Sequence, residues 1–213
     1  MGKFFNMDSP IMRFMTKVAD IMILNLLFII TSLPVVTIGA SMTALYYVSM
    51  KLVRDEEGGI FSSYFHAFRI NFRQATIFWL GTVLVMGVLI ADLLILARID
   101  SPIAAAMNTG VLIIGIAILM TLQYLFPLIA KFDAGLLQTL KNACLMSMAH
   151  LPKTILMTAF VAGSAFISFY NGYTLPVASV IFAFIGFGLI AFGNSAILVK
   201  IFDLYISKAD NNP

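Results

Sequence analysis

The apolar residues of this chain arrive in runs of about 20, the length a helix needs to cross the hydrocarbon of a bilayer. Each run is cut by a short turn or a charged cluster. Residues 32–59, SLPVVTIGASMTALYYVSMKLVRDEEGG, show the unit most clearly. Leu33 and Pro34 close one run, Gly39 opens the next, and Lys51, Arg54, Asp55, Glu56 and Glu57 end it before Gly58 and Gly59. The stretch reads as the return leg of a membrane hairpin. Composition agrees: 11% of residues are charged and 61% hydrophobic, where a soluble domain carries roughly a quarter charged residues. The expectation is an all-α polytopic membrane protein, a single domain over residues 1–213 with about six transmembrane helices.

Taken in order, Asp8 or Ser9 before Pro10 is a helix start, an N-cap oxygen followed by a proline that fits the first turn. A short amphipathic helix follows, with Ile11, Phe14, Val18 and Met22 on one face and Arg13, Lys17 and Asp20 on another. The first crossing runs from near Val18 to Pro34. It is not a signal peptide, because Asp20 and Asn25 interrupt it and no A-x-A site follows. A shorter second crossing covers about Met42 to Val53, as a short span or a partly re-entrant one. Phe61, Phe65, Phe68 and Phe72 then recur at helical intervals, with Ser62, His66, Arg69 and Arg73 one residue later. That is an amphipathic linker helix with an aromatic stripe and a basic edge. Further crossings are expected at about 75–97, 104–130, 154–170 and 175–201, with a second linker helix at LLQTLKNACLMSMAHLPK. Its Leu137, Leu140, Cys144, Met148 and Leu151 share one face. The plan repeats three times, as hairpins over about 10–57, 60–133 and 136–207.

Orientation follows from charge. Of 13 Lys and Arg, only Arg98 falls at a turn on the far side. Basic residues near spanning helices stay cytoplasmic, so both termini and both linker helices are expected inside. The same rule accounts for the net charge of +3 without nucleic acid.

No metalloprotease, phosphate-loop, dinucleotide or nucleophile-elbow pattern occurs, so no catalytic, cofactor or metal residues are assigned. Cys144 stands alone and forms no internal disulfide. His66 and His150 each precede a crossing, where histidine is a comfortable interface residue. Intramembrane polar residues are the stronger hints, since burying charge at mid-bilayer is costly. They are Asp20, Asn25, Asp92, Gln123 and Asn194. Asp20 and Asp92 lie near helix ends, and Asn25, Gln123 and Asn194 are suited to bonding between helices. Gly186, Gly188 and Gly193 permit close helix approach.

The block SLPVVTIGASMTALYYVSMKLVRDEEG, with ADIMILNLLFIITSLP before it and LKNACLMSMAHLPKT further on, resembles the YesL-like family of bacterial membrane proteins, an uncharacterised family. The resemblance runs the length of the chain and implies a small polytopic protein of the bacterial cell membrane. It also implies a role near carbohydrate uptake, because such proteins are encoded among genes for oligosaccharide importers and glycan breakdown. It supplies no catalytic residues. DAGLLQTLKNACLMSMAHLP is similar only loosely to the ATPase-docking loop of importer permeases: Gly135 and Leu151 are too far apart and the acidic-Ala-Ala start is absent.

The expected function is therefore a non-enzymatic accessory membrane protein that contacts the permease or ATPase subunit of a carbohydrate ABC importer. Contact is expected through Arg54, Asp55, Glu56, Glu57, Phe61, Phe65, Phe68, Arg69 and Arg73, with membrane lipid around the spans. The alternative is a stand-alone small-solute transporter or channel with Asn25, Asp92 and Asn194 along its path.

Overall fold

In the computed structural model, residues 10–56, 58–171 and 173–210 are described. The expected cap at Asp8 or Ser9, and Glu57 of the charged stop, lie outside them. All regular structure among the described residues is helical. The helices are α1 (Pro10–Ser32), α2 (Ile38–Val53), α3 (Ile60–Leu96), α4 (Pro102–Lys131), α5 (Leu136–Ala149), α6 (Leu151–Phe169), α7 (Thr174–Ile181) and α8 (Phe187–Asp210). A 3-10 turn, Val35–Thr37, leads into α2, and a π turn, Phe182–Gly186, joins α7 to α8. Among the described residues, six helical segments are long and apolar enough to cross a membrane, as befits a multi-pass membrane protein.

Local chemistry sets the boundaries. α1 stops two residues before Pro34, whose ring disfavours helical backbone at the residue before it. α2 ends where Asp55 takes φ 53°, the left-handed conformation that closes many helices. Ser101 caps α4, its hydroxyl accepting the Ile103 N–H at 3.3 Å with Pro102 at the first position. At the α6–α7 turn the Asn171 side chain accepts the Tyr173 and Thr174 N–H groups at 3.0 and 2.9 Å.

Three boundaries differ from the sequence reading. The amphipathic segment after Pro10 and the first crossing are one helix, α1. The second crossing starts at Ile38, preceded by the 3-10 turn. The first linker helix and the third crossing are likewise one helix of 37 residues, since Gln74 and Ala75 between them are good helix formers with no Gly or Pro to interrupt. The second linker, α5, does separate from α6, at His150 ahead of Leu151 and Pro152.

α2 is the centre of the packing, and its most extensive contact is with α3 and then α8, ahead of its neighbour in sequence, α1. Ten of its 16 residues are buried. The core gathers Leu24, Tyr64, Tyr124, Phe126, Met157, Leu198 and Phe202 around it. Two glycines set the approach distances. A Cβ at Gly39 would fall 2.6 Å from the Trp79 Cβ and against the Ala75 carbonyl, and one at Gly188 would fall 2.7 Å from the Ile21 carbonyl oxygen. α5 is amphipathic in the inverted sense: Thr139, Ala143, Met146 and Ser147 are buried against the protein, while Leu137, Leu140, Leu145 and Met148 face out. Gln138 and Lys141 are exposed beside those leucines, a mixed outer face suited to a membrane interface.

Candidate functional site

The charged stop after α2 is tied into the protein. Arg54 donates through Nη2 to Asp203 Oδ1 of α8, and its Nη1 lies 3.9 Å from Glu56. Asp55, turned by its left-handed backbone, receives Lys17 Nζ of α1 at 2.7 Å. The cluster is a clasp across the ends of α1, α2 and α8. The structure leaves Arg54 and Asp55 engaged inside the molecule, so a partner meeting them would meet a preformed network. Lys17 and Asp203, its other members, were not among the sequence candidates. Nothing in the spacing pairs residues 54 and 203, because the contact exists only once α2 and α8 pack. Nearby, His150 Nε2 at the break between α5 and α6 lies 3.2 Å from the Tyr205 hydroxyl of α8.

The first turns of α3 divide into two faces. Tyr64, Ala67 and Asn71 are buried against the bundle, with the Tyr64 hydroxyl 2.6 Å from Thr31 Oγ1 of α1. Phe61, Phe65, Arg69, Phe72 and Arg73 are exposed, while Phe68 is half-buried and rests on Tyr64 and Phe72. Among the described residues neither Arg69 nor Arg73 has a carboxylate partner. Tyr64, the buried anchor of this segment, was missed by the sequence reading because one more aromatic in an aromatic stripe carries no mark of the face it takes.

The five intramembrane polar residues go to different places. Asn25 is fully buried and holds the π turn: its Nδ2 donates to the carbonyls of Phe182 and Ala183 at 3.1 and 2.9 Å, and its Oδ1 accepts the Gly188 N–H at 3.0 Å. A π turn leaves carbonyls without their usual partners, and this side chain satisfies two of them. Gln123 of α4 donates to Thr158 Oγ1 of α6 at 2.7 Å, one turn from a bond between the Tyr124 and Thr154 hydroxyls at 2.9 Å. Asn194 is buried on α8 and faces the Tyr46 hydroxyl of α2. Asp20 is half-buried on α1, and Asp92 is exposed near the end of α3.

A cavity of about 580 Å³ lies between α1, α2, α3, α4, α6 and α8, walled by Phe28, Tyr46, Trp79, Gln123, Thr158 and Phe187 among others. Its size is that of a small-molecule site, about 300–1,000 Å³. Its lining is mostly apolar, with Gln123, Thr158 and Ser164 as polar side chains beside Tyr46 and Trp79, and Asn25, Asp92 and Asn194 do not line it. Among the described residues no group of three His, Cys, Asp or Glu is placed to hold a metal ion.

Residues 21–93 match the family described as "Protein of unknown function, DUF624". The chain is also similar to "Uncharacterized protein YesL" of Bacillus subtilis (strain 168), 24% identical over 177 residues that cover 78% of this chain and 83% of that protein. No solved structure matches. Together the two matches bear out the resemblance to the YesL-like family of unknown function.

Proposed function

We propose that this protein is a non-enzymatic accessory or regulatory membrane protein associated with a carbohydrate ABC importer, in a bacterial cell membrane with both termini cytoplasmic. The observation that carries the reading is the outer face of early α3. There Phe61, Phe65 and Phe72 stand exposed beside Arg69 and Arg73, on a helix whose opposite face is fixed to the bundle through Tyr64. Exposed aromatic and arginine side chains on a rigid support are the ingredients of interface hot spots. The resemblance to proteins encoded beside oligosaccharide importers supplies the partner's class, a permease or ATPase subunit. Affinity purification in mild detergent from cells grown on the inducing sugar tests it. Importer subunits are expected with the native chain and lost with Phe61→Ala, Phe65→Ala, Arg69→Ala and Arg73→Ala combined, and their absence from the native sample would overturn the reading.

The cavity at Gln123 and Thr158 favours a second reading, a stand-alone small-solute transporter. Solute flux in liposomes that Gln123→Leu abolishes would decide for it.

A further inference from the structure

We infer that the α1–α2 hairpin is re-entrant: its apolar turn, Leu33–Val36, sits among the acyl chains of the bilayer and returns to the side from which it came. Three observations converge on this. First, residues 21–50 carry no charge; folded at Pro34, the charge-free parts of the two legs are about 22 Å long, less than the roughly 30 Å hydrocarbon layer, although α1 as a whole, with 23 residues, would reach across it by length alone.

Second, the turn is apolar and outward. Leu33, Val35 and Val36 are 75%, 64% and 49% exposed with no charged or amide side chain among residues 33–36, whereas the other two turns, which also expose Ile99 and Tyr173, carry Arg98, Asp100 and Ser101, or Asn171 and Thr174. A turn without a charge or an amide suits hydrocarbon, where such groups are costly. Carbonyls of its irregular backbone find partners within the protein, as hydrocarbon demands. Trp79 Nε1 donates to the Val35 carbonyl at 2.8 Å, and the Thr37 N–H and hydroxyl both donate to the Pro34 carbonyl, at 2.9 and 2.7 Å.

Third, and most decisive, is the level at which the turn meets α3. The charge-free stretch of α3, from Gln74 to Ala91 between Arg73 and Asp92, is about 27 Å long, one hydrocarbon thickness. The turn touches it at Ala75 and Trp79, about 9 Å from Arg73 and about 20 Å short of Asp92. Below that seam α2 runs antiparallel to α3, back to Lys51, whose ammonium reaches the neighbourhood of Gly58. The hairpin therefore enters from the Arg73 side and stops well short of the opposite face. The chain then crosses the membrane four times, and because four is even, as six is, both termini stay on one side. The inference is independent of the importer reading.

Spin labels test it. In a Cys144→Ser background, Leu33→Cys and Val36→Cys are labelled separately and the protein is reconstituted into phosphatidylcholine–phosphatidylglycerol vesicles. Asp100→Cys serves as the aqueous reference. Labels at 33 and 36 are expected to collide readily with oxygen and several-fold less with a water-soluble nickel chelate than the label at 100. Trp79, the single tryptophan, confirms by unchanged emission that the hairpin is seated, and the two sites give independent readings. Nickel accessibility at 33 and 36 equal to that at 100 would place the turn in water and overturn the re-entrant hairpin.

Discussion

Asn25 is the residue whose role is clearest in energetic terms. It is buried, it makes three hydrogen bonds, and all three go to the backbone of the π turn or the glycine two residues past it. Asn25→Ala removes all three bonds to the Phe182 and Ala183 carbonyls and the Gly188 N–H, and should cost about 1–2 kcal/mol, read as a lower melting temperature in detergent. Asn25→Asp keeps the shape but loses both donors and sets a carboxylate against two carbonyls, so at neutral pH it should destabilise at least as much. Arg54 is the contrasting case, because Asp203 is half in solvent. Arg54→Ala should cost only about 0–1 kcal/mol, diminishing as salt is added. The double variant Arg54→Asp with Asp203→Arg should recover most of the loss, a result that a purely steric role for Arg54 would not give.

At the scale of elements, the α2–α3 seam sets the geometry of the molecule. Gly39 lies where a methyl group would strike the Trp79 Cβ and the backbone of Ala75, neither of which is a flexible side-chain end. Gly39→Ala should therefore force the helices apart at a cost of about 1–3 kcal/mol, and shift the emission of Trp79 as its bond to Val35 loosens. A melt and a fluorescence spectrum of one sample check both. α5 shows the same logic from outside. Its small and hydroxyl-bearing residues pack inward on α4 and its leucines turn out, so its amphipathic pattern was legible in the sequence while the meaning of the two faces was reversed from that of a soluble helix.

For the whole molecule, the importer reading makes a sharp demand on early α3. Substituting Phe61, Phe65, Arg69 and Arg73 together should leave the detergent melt within about 0.5 kcal/mol of the native value, since exposed side chains away from caps and cores contribute little, while removing importer subunits from the purification. A loss of both would show that this face holds the fold rather than a partner.

The helical class and the membrane setting followed from the sequence alone, because a run of twenty apolar residues has few alternatives in water or lipid. The helical spacing of the Phe and Arg residues of α3 and the turn residues were equally legible, whereas its buried face at Tyr64, Ala67 and Asn71 was not. What only the tertiary structure decided is how those elements are used. Arg54 and Asp55, read as an open charged end, are held in a clasp by Asp203 and Lys17, residues far from them in sequence. Asn25 and Gln123, alike as isolated amides in apolar runs, differ in that one secures a π turn and the other joins two helices. The stretch SLPVVTIG looked like the far turn of a full crossing, and its level along α3 is set by Gly39 and Val35 meeting Ala75 and Trp79. Helix periodicity is a local property that a sequence displays directly, whereas depth, pairing and burial arise between segments distant in the chain and exist only once those segments are packed together.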